Sequence, residues 1–168
     1  MENINELIIP AARQGEVEVL RELIRRGVDL NHRDEKGYTP LIIACYNKQL
    51  EAAKLLIDAG ADLNAADTGG NTALMGVAFK GYIDIASLLI ESGALLNLQH
   101  GNGGTALMFA AMFGRNDVLQ LLLNHGADRY MLDVRGQSAL DFAALQGNEM
   151  GIQLLESQNG ATHLSKAP

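Results

Sequence analysis

The chain has 168 residues, 48% of them hydrophobic, and a formal net charge of -7. That length and apolar content suffice for one folded domain with a sizeable core and exclude a disordered chain. The acidic balance, with both signs interspersed, argues against a nucleic-acid groove, because neutralising phosphates requires a basic stripe.

In chain order, the N-terminal segment is expected to form a first helix pair in which Glu6 stands at a position that later holds a hydroxyl residue. Pro10 removes an amide inside the first helix, so that helix is expected to start late or irregularly. A glycine turn at Gly15 follows, then an outer helix with Glu18 near its positive end, the apolar pair Leu23-Ile24 and a stop at Gly27. Arg21, Glu22, Arg25 and Arg26 give this outer helix the polar character of an end cap.

From Thr39 onwards the same grammar recurs with a 33-residue period: Thr39, Thr72, Thr105 and Ser138 are each followed two residues later by Leu41, Leu74, Leu107 and Leu140. The hydroxyl side chain caps a short inner helix, helped once by Pro40 at its first position. Small residues follow, Ala44-Cys45, Val77-Ala78, Ala110-Ala111 and Ala143-Ala144, which let a neighbouring backbone approach closely. Gly81 and Gly114 reverse the chain into outer helices that carry Asp84 and Asp117 near their starts and end at Gly93 and Gly126; the outer helix with Glu51 ends likewise at Gly60, and Gly147 makes the turn of the last repeat. The Asp-, Asn- and Gly-rich segments after them, such as residues 64–71, read as protruding hairpins. Neither helix is long enough to be stable alone, so stability is expected to come from stacking.

Thr39-Pro40-Leu41, Ala110-Ala111, Gly114, Leu122-Leu123 and Gly126-Ala127-Asp128 match the pattern of the ankyrin repeat family, which the chain resembles over roughly residues 4–158. The resemblance implies an all-α solenoid of five stacked helix-turn-helix repeats joined by protruding hairpin loops. Their bounds are about 6–38, 39–71, 72–104, 105–137 and 138–158, within a single domain 1–158; a tail, 159–168, is expected to be mobile.

Three departures stand out. The family's histidine column holds Ile42, Met75, Met108 and Asp141, so packing there is expected to be apolar and somewhat looser. Lys48 replaces the inter-helix glycine, which predicts either a strained positive φ or a re-registered turn helped by Asn47. Repeat three has Leu95 where Gly-Ala-Asp would place an aspartate, and a glycine-rich hairpin at residues 100–104.

The resemblance also implies that a partner is bound by hairpin tips and by the exposed positions of the inner helices along a concave face. The pairs after the small residues are Arg13-Gln14, Tyr46-Asn47, Phe79-Lys80, Met112-Phe113 and Leu145-Gln146. With Met75 and Met108 nearby, they are expected to form an apolar strip across repeats two to five. Tyr46, Phe79 and Phe113 belong to a chain that is only 5% aromatic. The expected partner-binding set is Tyr38, Tyr46, Asn71, Met75, Phe79, Lys80, Met108, Met112, Phe113, Arg135, Leu145 and Gln146. Exposed aromatic and methionine side chains suit protein recognition; the competing reading is that they fill gaps between adjacent inner helices.

Other chemistry is weakly represented. Cys45 lies in the small-residue column, where a buried thiol is an inert small hydrophobe, and a single cysteine forms no intramolecular disulfide. His32, His100, His125 and His163 lack the spacing of a zinc pair, His125 being more simply a partner of its helix end. Asp128 and Asp133 belong to hairpin turns, and no strand is present to carry a phosphate cradle. No apolar run approaches the roughly 18 residues of a membrane span. The sequence therefore points to a non-enzymatic protein-binding module without cofactor or metal, cytoplasmic with a nuclear location left open. An adaptor or an inhibitor fits, the immunity protein of a secreted toxin included. A monomer is expected, with homodimerisation through the same strip as the structural alternative.

Overall fold

A computed structural model describes residues 3–157; the tail expectation for residues 159–168 lies outside them. Among the described residues there are ten α-helices in five pairs. The inner helices are α1 (Ile8–Gln14), α3 (Pro40–Tyr46), α5 (Ala73–Lys80), α7 (Ala106–Met112) and α9 (Ala139–Leu145). The outer ones are α2 (Val17–Arg25), α4 (Leu50–Asp58), α6 (Ile83–Glu91), α8 (Asn116–Asn124) and α10 (Glu149–Glu156). Each inner helix packs on the next inner helix and each outer helix on the next outer one, so the stack has two rows with one continuous core.

The local reasons are those of the sequence. Thr39, Thr72, Thr105 and Ser138 sit in extended backbone, and their hydroxyls accept from the amides of Ile42, Met75, Met108 and Asp141. The three threonines are buried yet fully used in this way. Asp141, exposed, closes a capping box by accepting from the Ser138 amide and hydroxyl, and these bonds hold its carboxyl below the ordinary range. In the first repeat Glu6 falls in a single 3-10 turn, Ile4–Glu6, and α1 begins at Ile8. By the 33-residue register that is one residue later than the other inner helices, so Pro10 lies within the first turn of α1, where an amide would have no helical partner.

Gly15, Gly81, Gly114 and Gly147 adopt φ between 63° and 79° at the turn between paired helices. Lys48 takes the same place with φ 60°, the one non-glycine residue of positive φ among those described. The turn is thus kept in register and the lysine backbone is strained. Its ammonium lies 5.4 Å from the Tyr82 ring centroid, which offsets part of a strain of about 1 kcal/mol. Lys48→Gly is expected to raise the melting temperature by about 2 °C; an unchanged or lower value would mean that the ring contact outweighs the strain.

Two ladders tie the hairpins together. Asn31, Asn64 and Asn97 each accept, through Oδ1, the backbone N–H of Asp62, Leu95 and Asp128 in the following repeat, at 2.8–2.9 Å. The amides of Thr68, Gly101 and Val134 donate to the carbonyls of Lys36, Gly69 and Asn102 one repeat earlier. Leu95 keeps its place in the first ladder through its backbone. It lacks the aspartate carboxylate by which Asp29, Asp62 and Asp128 accept the amide two residues on. Asp128 and Asp133 are spent on such turns, as their positions predict. His125, at the end of α8, bonds through Nδ1 to the Leu121 carbonyl at 2.9 Å.

Candidate binding face

The inner helices bring the aromatic residues of successive repeats into one ridge. Tyr46, at the end of α3, stacks on Phe79 of α5 with ring centroids 6.5 Å apart and planes 11° from parallel. Phe79 meets Phe113, just beyond α7, edge to face at 4.6 Å and 75°. Lys80 places its Nζ 4.6 Å from the Tyr46 centroid and 6.0 Å from that of Phe79. Tyr46 and Phe113 are 43% and 41% exposed while Phe79 between them is half-buried, so the ridge is packed within itself and still faces solvent. These residues pack sideways against one another and leave aromatic surface uncovered.

Grooves flank the ridge. The first, about 330 Å³, lies between α3 and α5, with Ile42, Met75 and Gly76 beneath it and Phe109 of α7 as its far wall. Tyr38 and Asn71 stand at its hairpin end, and the Asn71 amide is committed to the carboxylate of Asp67. The second, about 410 Å³, lies between α7 and α9 and is more polar, lined by Met112 and Phe142 with His100, Asp133 and Arg135. Phe109 borders both grooves and is held by an edge-to-face contact with His100 at 5.3 Å.

Met75 and Met108 correct the sequence expectation. They are 2% and 1% exposed and belong to the core, not to an exposed strip. Each sits at the third position of its inner helix, beside the capping threonine, where the side chain turns toward the neighbouring inner helix. Their flexible thioethers fill the space between repeats and form the groove floors. Leu145, 66% exposed, and Gln146 extend the face beyond α7 but line neither groove. Ala144 is exposed, unlike the fully buried Ala78 and Ala111 of the same column.

Phe109, Phe142 and Gly76 were not singled out by the sequence, although they fall in one 33-residue column with Ile43. Gly76 lies mid-helix at ordinary helical φ, where glycine costs about 1 kcal/mol relative to alanine. A Cβ there would stand 3.3 Å from the Tyr46 ring, so the missing side chain serves space, not backbone conformation.

Cys45 is fully buried, and burial pushes its thiol pKa up to about 12. The unfolded chain ionises this thiol near pH 8.5, so above that pH the unfolded state binds fewer protons and stability falls until the folded thiol titrates. Urea melts between pH 9 and 11 are expected to show a decline of up to about 1.4 kcal/mol per pH unit that Cys45→Ala lacks. Identical slopes in the two proteins would contradict it. Among the described residues no three His, Cys, Asp or Glu side chains stand together, and no helix is long and apolar enough to cross a membrane.

This architecture is that of a repeat protein of stacked helix pairs, and the comparison with family models agrees. The model for ankyrin repeats (3 copies) matches residues 8–100 and 75–166, and the chain belongs to the ankyrin repeat family. Members are generally protein–protein interaction modules and typically non-enzymatic. No curated protein matches the chain.

Proposed function

We propose that the protein acts by occupancy, holding a partner protein against its inner face as a cytoplasmic adaptor or inhibitor. The observation that carries this reading is the solvent-facing ridge of Tyr46, Phe79 and Phe113 with an apolar groove beside it. Rigid, preformed aromatic surface lowers the ordering cost of association, and aromatic anchors dominate binding energy at interfaces.

The test is affinity capture with mass spectrometry, using a Phe79→Ser, Met112→Ser, Phe113→Ser chain as control. The variant is expected to lose its partner, with affinity down about 100-fold for three anchors. Phe79 and Met112 are half-buried, so the melting temperature of the variant is measured beside its capture, and the comparison is made at a temperature where both chains are folded. Equal capture by both chains would refute the proposal. Two other outcomes refine the role. An enzyme inhibited at equal stoichiometry would make the chain an inhibitor, the immunity-protein case. Sedimentation showing association of the 18.0 kDa chain that the variant abolishes would assign the ridge to homodimerisation.

A further inference from the structure

The groove beside Tyr46 lies over Gly76, the one residue of its 33-residue column without a side chain. In the column of Gly76 the later repeats carry Phe109 and Phe142, whose rings line the second groove. Over α5 the groove is about 330 Å³ and almost wholly aromatic and aliphatic in its walls, Ile42, Tyr46, Phe79 and Phe109 standing over Met75. The groove also has charge polarity. Asp67, at its hairpin end, is occupied by the amides of Gly69 and Asn71 and by the Asn71 side chain. At the opposite end Lys80, the last residue of α5, lies over the Tyr46 ring and makes no ion pair among the described residues.

From this geometry we propose that the groove over Gly76 receives an aromatic side chain of the partner, from a segment whose adjacent carboxylate meets Lys80. The proposal rests on the reading of the inner face as the binding surface and names what that face recognises. An aromatic ring suits a groove walled by rings, edge and face contacts being available from Phe79 and Phe109. The carboxylate lies toward Lys80 because the hairpin end already holds Asp67. The ammonium, partly desolvated against two rings, gains more from an ion pair than a freely hydrated lysine would.

The probes are N-acetyl-phenylalanine and its uncharged amide, N-acetyl-phenylalaninamide, titrated into the full chain with methyl NMR as readout. Ligands this small bind in the millimolar range. Both are expected to shift the methyls of Ile42 and Met75 and to leave those of Val19 and Met150 in place, the free acid binding several-fold more tightly. Gly76→Phe, which restores the residue of its column, should abolish both sets of shifts, circular dichroism confirming that it folds; Lys80→Gln should erase only the difference between acid and amide. Absent shifts in the unmodified chain, or shifts that survive in folded Gly76→Phe, overturn the aromatic anchor. Equal affinity of acid and amide overturns the role of Lys80. If the probes fail while the ridge variant still loses its captured partner, the anchor is wrong and the binding face stands; if that variant keeps its partner, the face itself is wrong.

Discussion

Glutamate in place of Ala111 is expected to abolish cooperative folding of the repeats around it, whereas glutamate in place of Ala144, one repeat later in the same column, leaves stability within about 0.5 kcal/mol. Ala111 is fully buried where α7 meets its neighbours, with the Asn148 side chain bonded to its carbonyl. A carboxylate there would displace the adjoining inner helix or remain as an unpaired buried charge, a cost of roughly 3–5 kcal/mol or more. Ala144 is exposed, so its column position carries no such penalty. Chemical denaturation followed by circular dichroism separates the two. Similar losses at both sites would contradict the stacking order, because column membership would then matter more than burial.

Leu107→Ala is expected to cost about 3–4 kcal/mol, the range for a large buried aliphatic side chain whose surroundings collapse only partly. Leu107 is 1% exposed in α7, which packs on both α5 and α9. In a solenoid, stability is a sum of repeat and nearest-neighbour terms, so weakening an internal repeat also weakens its two interfaces. Unfolding is therefore expected to split, the α1–α6 portion persisting to higher denaturant than the rest. A single transition displaced by less than about 1 kcal/mol would mean that α7 is not a central element of the core.

Much of this fold is legible in the sequence because each recurring residue answers a local demand of the backbone. The hydroxyls before each inner helix are caps, the glycines are left-handed turns, and Lys48 holds positive φ because the turn around it is fixed from both sides. What escapes the columns is contact between repeats. Asn31, Asn64 and Asn97 form a 33-residue column as plain as the threonines, yet their role appears only when the next repeat's amide is placed against each Oδ1. Met75 and Met108 illustrate the same point. Their spacing puts them beside the binding strip, but the rotation of the inner helix turns them into the core.

The outward placement of Tyr46 and Phe113 is legible from the repeat register, whereas Phe79 between them is half-buried. The grooves are not legible. They depend on Gly76, a residue conspicuous for what it lacks, and on Phe109, whose ring faces both grooves. An omission becomes readable only against the Phe109 and Phe142 of the same column and against the Tyr46 ring that leans toward it.

The central claim, that the inner face is where a partner sits, is tested most directly by hydroxyl-radical footprinting of the complex, which reads the accessibility of individual side chains. Tyr46, Phe113 and Leu145 are expected to become protected, while Tyr130 and Met150, 82% and 60% exposed and outside both grooves, keep their reactivity. Protection of Tyr130 with an unchanged ridge would contradict the account and move the interface to another surface of the stack.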